Sequence, residues 1–468
     1  MRHNSPKIQL ALVAMILLLT TGTRRLLNNY LLQRAPFDVN EAYDRHLPTS
    51  IIACLSGFLG ILLVNLLGIR WIFLFYSLTN IVYASAIIVS YRYGNPLFEG
   101  IALLIDVFGY DAGRVATLVV VLAYPTERWK ARALAAFMML EYLSATMGDI
   151  VAIQSHDDQS ERFAGAIAYL CVACLASALT LTIAPSENVV RDDGVYLTTP
   201  ETNLNTEIRQ TAKLFTNKYM LLLIPYMFSY PFLFGTAGVI FPNIEAIVLY
   251  DAGKLFIVFM SQMLDAQWTG RRIRGFIGLV MLTVFFIVSV SITAAIMLAK
   301  YDTSGISASW SLAKISEYMM AEVLKEKHAL LLSSYFFAGA ASSFIELFGY
   351  WIMGTLTNDL KSSTRFVGTY HSAMAAGGLI GSQLQIHTKN DSHTKNIPMY
   401  VAISVTFVSL FCMYFVVRRI PESNDWTLDN MSTTTSKSSG KQKSDCVSEI
   451  VTVVADVKYY HIGRTTKV

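Results

Sequence analysis

Charge is what this sequence has least of. Asp, Glu, Lys and Arg make up 15% of its 468 residues, where soluble globular domains carry about 25%. With 54% hydrophobic residues and a mean hydropathy of +0.45, the chain is too apolar for water. Cysteine is also sparse. Cys54, Cys171, Cys174 and Cys412 lie in apolar runs and Cys446 in a polar stretch. Cys171 and Cys174 form a C-x-x-C, but inside a membrane helix that spacing reads as two small packing residues, since redox and zinc sites need accessible thiols. No phosphate-binding loop, H-E-x-x-H, G-x-S-x-G or zinc-type spacing outside the apolar runs is present. No enzyme, cofactor or metal site is therefore expected. Basic runs such as GRRIRG, residues 270–275, fit topology signals and lipid headgroup contacts better than nucleic acid.

What is abundant is long apolar runs. About 20 apolar residues cross a hydrocarbon core about 30 Å thick, and candidate spans fall near 8–23, 48–69, 71–90, 96–123, 132–154, 163–184, 219–241, 244–264, 275–299, 328–355, 364–386 and 397–417. Such runs are too long and continuous for barrel strands, and a helix bonds its own backbone in lipid. The fold class expected is all-α, polytopic, with the lipid bilayer as its surroundings. The first span is short unless it continues through Arg24 and Arg25, and it reads as an uncleaved insertion helix, because no A-x-A cleavage site follows MRHNSPK and its apolar run.

The connections suggest two halves. Residues 186–218 form a long polar loop of mixed charge that separates six spans (1–185) from six more (219–420). NLLGIRW after the second span and DAQWTGRRIRG after the eighth are short basic turns at equivalent places, as in duplicated bundles. Lys and Arg favour the side bearing both termini, which places them in the cytoplasm. Residues 421–468 are rich in Ser, Thr and Lys and read as a disordered cytoplasmic tail. That tail holds YYHI at 459–462, in the form of a sorting signal, and Asn390 lies in a glycosylation sequon between the last two spans.

Four patterns in order resemble the UNC93-like branch of the major facilitator superfamily. AYPTERWKAR after the fourth span carries Tyr124, Pro125, Glu127, Lys130 and Arg132 of its Y-P-x-E-x-x-K-G-R pattern, with Ala131 in place of glycine. VVRDDG (189–194), NLLGIRW, and FIELFGYWIMGTLTNDL with Tyr350, Trp351, Met353, Gly354, Asn358 and Asp359 are the others. The resemblance spans Pro48 to Pro421. It implies a twelve-helix major facilitator-type fold of two six-helix bundles around a central cavity, and an alternating-access transporter of an unknown small molecule or ion. The family also includes a regulatory partner of a potassium channel and an escort of Toll-like receptors. A non-transporting escort or regulatory subunit, binding a membrane-protein partner, is thus the alternative. The first span departs from the pattern: a glycine-rich stretch is replaced by GTRRLLNNYLLQRA.

The few intramembrane charges are the candidate site. Asp106, Asp111 and Arg114 stand in the fourth span, where each costs about 3 kcal/mol at a helix centre. Gly109 and Gly113 would let that helix approach a neighbour closely. Asp111 and Arg114 share a helical face and can pair, as can Asp251 and Lys254 in the eighth span. Asp106, about 140° around the helix from Asp111, has no such partner, and Glu141 and Glu346 stand alone in the fifth and tenth spans. Either the pairs neutralise themselves and fix packing, or Asp106, Asp111, Arg114 and Glu346 face a hydrated pathway with Tyr226 and Tyr230 as walls. In the second case Asp106 and Glu346 are the proton-carrying candidates and Arg114 would hold an anionic group. His371 reads as a packing residue.

Overall fold

The computed structural model describes residues 4–34, 39–94, 96–126, 129–154, 159–192, 194, 197, 203–237, 244–265, 269–298, 312–357, 359–388 and 397–420. Asn390 and residues 421–468 lie outside them. The expectation of helical spans is met by α1 (Pro6–Arg34), α2 (Val39–Leu67), α3 (Ile69–Tyr93), α4 (Pro96–Ala123), α5 (Lys130–Gln154), α6 (Gln159–Thr180), α8 (Lys218–Ala237), α9 (Ile244–Met260), α10 (Arg271–Leu298), α11 (Leu312–Leu356), α12 (Leu360–Thr388) and α13 (Ile397–Arg418). Each coincides with one expected span. The first does continue through Arg24 and Arg25, and the tenth is longer than its apolar run.

Eight of these helices are long and apolar enough to cross a membrane. The others, α4, α8, α9 and α12, include the helix with three mid-span charges, a helix of 17 residues, and one rich in Ser, Thr and Gly. The protein is a multi-pass integral membrane protein. The 186–218 connection is not featureless: it holds an 11-residue helix, α7 (Leu204–Leu214), capped by the Asn203 side chain, which accepts from the Asn205 N–H.

Packing repeats between the first six long helices and the last six. In the first set α1 packs on α5 and α6, α2 on α4, and α3 on α4 and α6. In the second, α8 packs on α12 and α13, α9 on α11, and α10 on α11 and α13. These are the same five neighbour relations, shifted by six spans. The contacts between the sets repeat too: α2 lies on α12 and α5 on α9.

Two glycine positions show how this geometry is reached. Gly68 in NLLGIRW has φ 87°, a left-handed conformation that costs glycine nothing, and it turns the chain from α2 straight into α3. Gly22 of α1 lies so close to α5 that an added Cβ would fall 2.2 Å from the Ser144 carbonyl oxygen. There the Gly22 N–H donates to Ser144 Oγ at 2.8 Å, and Ser144 Oγ donates to the Leu18 carbonyl at 2.6 Å.

Candidate functional site

The charges of α4 all find partners, though not those their spacing suggests. Asp106 is wholly buried and accepts from Arg24 Nε of α1 at 2.6 Å. The Arg24 guanidinium also lies 3.9 Å from the centroid of the Tyr110 ring. The arginine that replaced the expected glycines is thus the counterion of a carboxylate that sequence spacing left alone. Its neighbour Arg25 pairs with Asp149 of α5 at 3.1 Å.

Asp111 and Arg114 do not pair with each other. Asp111 accepts from Ser56 Oγ of α2 at 2.6 Å. Arg114 instead reaches Glu141 of α5 with Nη1 and Glu346 of α11 with Nη2, while Nη1 also donates to Tyr110 Oη at 3.0 Å. The reason is reach and donor number. A guanidinium has five N–H donors in a planar fork, so it can bridge two helices, which a one-turn pairing would forgo. Glu141 and Glu346, each solitary in sequence, share one cation.

Hydroxyls complete the cluster. Tyr350 Oη donates to Glu346 Oε1 at 3.0 Å, and Tyr142 Oη to Glu346 Oε2 at 3.4 Å. His371 Nε2 lies 3.5 Å from Tyr350 Oη, so this histidine is packed behind the cluster. On α9 the expected pair does form: Lys254 Nζ donates to Asp251 Oδ1 at 2.8 Å, and Asp251 Oδ2 accepts from Thr146 Oγ1 of α5 at 2.5 Å. Tyr226 is buried between α8 and α11, with its hydroxyl donating to the Ile345 carbonyl at 2.6 Å. The Tyr230 side chain lies outside the described residues. Gly109 and Gly113 do seat α4 closely on α3, against Thr79 and Tyr76.

A second group of contacts gathers at the helix ends nearest the 186–218 connection. Lys130 Nζ, at the start of α5, donates to the Gly354 carbonyl near the end of α11 at 2.7 Å. The N–H groups of Ala131 and Arg132 donate to the Asp265 carboxylate at 2.9 and 2.8 Å, the usual complement of a helix N-terminus. Glu207 is the sole buried residue of α7. It accepts from Asn65 Nδ2 of α2 at 2.7 Å and from Arg365 Nε and Nη2 of α12 at 2.7 and 3.0 Å. Burial acts to raise its pKa, but the hydrogen bonds from Arg365 and Asn65 outweigh that and hold the carboxyl below its ordinary range. Nothing in the sequence of 186–218 singled out Glu207 from its neighbours.

No family model matches the chain. It is 24% identical over 380 residues to an UNC93-like protein of Schizosaccharomyces pombe, covering 77% of this chain and 71% of that protein. It is 23% identical over 454 residues to UNC93-like protein 1 of Arabidopsis thaliana, covering 91% and 94%. Among solved structures it resembles the major facilitator superfamily transporter FucP in the outward conformation, with a TM-score of 0.57 at 11% identity over 87% of this chain and 98% of that one. It also resembles the proton:xylose symporter XylE bound to 6-bromo-6-deoxy-D-glucose, with a TM-score of 0.59 at 12% identity over 91% and 98%. The chain is a membrane protein of the major facilitator fold with UNC93-like relatives. In this fold two of the sequence patterns that carried the resemblance meet in space: Lys130 of the first touches Gly354 of the second.

Proposed function

We propose that the chain is an alternating-access transporter, built of an N-terminal bundle (1–185) and a C-terminal bundle (219–420) joined by the 186–218 connection, with both termini and the 421–468 tail in the cytoplasm. The observation that supports this best is the Arg114 cluster. It ties α4 and α5 of the first bundle to α11 of the second, so any rocking of one bundle against the other must rearrange it. Arg114 lies nine residues before the end of α4 at Ala123, Glu141 eleven after the start of α5 at Lys130, and Glu346 ten before the end of α11 at Leu356. At a rise of 1.5 Å per residue that is about 15 Å deep, close to the bilayer midplane.

The Lys130, Asp265 and Glu207 clasps join the bundles at the cytoplasmic end, so the described state is closed there, and opening to the cytoplasm requires them to part. Proton coupling is part of this reading, and what supports it is that Arg114 is shared by two carboxylates from the two bundles, Glu141 and Glu346. Of the two proton-carrying candidates, Glu346 keeps that role with Glu141 beside it, while Asp106 is paired with Arg24.

The test compares the solute and ion content of cells lacking the protein, cells expressing it, and cells expressing Arg114→Gln. Restoration of a changed solute pool by wild type and not by the variant supports transport. Unchanged pools together with co-purification of one stable membrane-protein partner would establish the escort reading instead.

A further inference from the structure

We infer that α7 binds the phosphate headgroup of an anionic phospholipid in the adjoining leaflet, with the apolar flank of the helix seated among the acyl chains. The inference is independent of the transport reading, since it concerns the surface of the fold and not its centre.

The helix presents three different faces, because successive residues are turned by about 100°. Glu207 marks the first, and it is held by Asn65 of α2 and Arg365 of α12. Leu204 and Ile208 lie on the second, one turn apart, 46% and 48% exposed. Two large aliphatic side chains on one flank of a polar loop helix gain nothing from water. On the third face Arg209 and Lys213, also one turn apart, line a groove of about 430 Å³ with Asn205, Thr206 and Gln210. Those five side chains are two cations and three neutral hydrogen-bonding groups, with no carboxylate among them. Neither cation has an ion-pair partner among the described residues. Paired cations flanked by neutral donors are the chemistry that receives a phosphate.

Position points to lipid as the source of that phosphate. Ile51, Leu55 and Leu59 are exposed at successive turns of α2, the stripe by which a helix of an integral membrane protein meets acyl chains. Farther along α2, Leu66 is exposed too, and beside it Asn65 donates to Glu207. At the other end of α7 the Phe215 ring lies 5.9 Å from that of Phe58, whose neighbour in the chain is Leu59. The helix is therefore fastened at two points to the one that carries the stripe. Aliphatic residues on one flank and basic residues beside them are what holds a helix in the interface of an anionic leaflet. A dissolved phosphate would account for Arg209 and Lys213 and leave Leu204 and Ile208 without a role.

The test titrates the purified full chain in detergent micelles with phosphatidic acid and reads the rise in melting temperature. Phosphatidylcholine and inorganic phosphate are the comparators, and neither should reproduce a saturable rise. Arg209→Gln with Lys213→Gln should increase the half-saturating concentration about thirtyfold, and Ile208→Asn about tenfold. The same loss of charge at the end of α13, Arg418→Gln with Arg419→Gln, should leave it unchanged. Should a variant fail to fold, the wild-type chain drawn from vesicles of mixed phosphatidic acid and phosphatidylcholine should retain the first in excess of its share. Equal weakening by the two double variants would overturn the site, because any basic surface would then serve. A rise with inorganic phosphate as large as with the lipid, untouched by Ile208→Asn, would overturn the lipid as its source. No saturable rise with phosphatidic acid, or no excess retention of it, overturns the inference.

Discussion

Arg24 and Arg114 are both only partly exposed and both hold carboxylates, yet their surroundings differ in kind. Arg24 meets one acid, Asp106, within the first six helices, and that acid is wholly buried. Arg114 meets two, and one of them, Glu346, comes from the last six. Their depths differ as well. Arg24 lies eighteen residues after the start of α1 at Pro6, and Asp106 seventeen before the end of α4 at Ala123, about 26 Å by helical rise from those helix ends. The first pair lies within the first six helices. The second bridges the two sets of six, so under the proposed transport cycle it is the one that a rocking motion would rearrange. A buried charge is thus not a functional group by virtue of burial alone; which helices it joins distinguishes the two.

Removing Arg114 should break this comparison most severely. Arg114→Gln leaves Glu141 and Glu346 facing each other, and loss of one partner of a buried ion pair costs about 3–5 kcal/mol. We expect a large fall in melting temperature in detergent and no solute movement. Adding Glu141→Gln to that variant should recover part of the stability, because it removes one of the two opposed charges. If the double variant is less stable than the single one, the two glutamates do not share the guanidinium.

Asp106→Asn should cost stability of similar size, about 3 kcal/mol, for the opposite reason: it strands Arg24. It should leave the pH profile of transport unchanged, and a flattened profile would return Asp106 to the pathway. Replacing both partners with apolar residues, Arg24→Met with Asp106→Leu, should be milder than either single change. Glu346→Gln is the counterpart on the functional side. It leaves Arg114 paired with Glu141, so we expect a smaller loss of stability, below about 2 kcal/mol, together with loss of pH dependence in vesicle uptake.

The smallest expected effect is at the rim. Glu207→Gln weakens a two-point bond to Arg365, worth about 1–3 kcal/mol, and should raise labelling of cysteines introduced behind the clasp by a reagent added from the cytoplasm. The pH dependence has a definite sign. Because the folded protein holds the Glu207 carboxyl below its ordinary value, the clasp contributes fully above the ordinary glutamate range of about 4.3. That contribution is lost only as pH falls below it. Labelling that rises between pH 8 and 6 in wild type, and equally in Glu207→Gln, would assign the opening to another group.

Which partner each charge takes was only partly legible in the sequence. Asp251 and Lys254 are three apart on one helix face and they pair. Asp111 and Arg114 have the same spacing and do not, since a longer, multi-donor side chain reached two other helices. One signal was present and goes beyond spacing along a single helix. Arg114, Glu141 and Glu346 lie nine to eleven residues from helix ends at the same side of the membrane, and Arg25 and Asp149 each lie nineteen from theirs, at Pro6 and Lys130. Charges at equal depth on different helices are candidate partners. Depth does not choose among them, however, and Glu207 lies on a loop helix where depth says nothing.

By itself the sequence determined the helical, multi-pass architecture. Long apolar runs have one way to satisfy their backbone in lipid, and that constraint acts within each segment. It also marked the few positions where charge is tolerated, because each such residue opposes insertion and must be held by something. Only the tertiary structure decided what holds them. Counterion choice depends on which helices adjoin at a given depth, on side-chain reach and on the number of donors, all of which are properties of contacts between segments far apart in the chain.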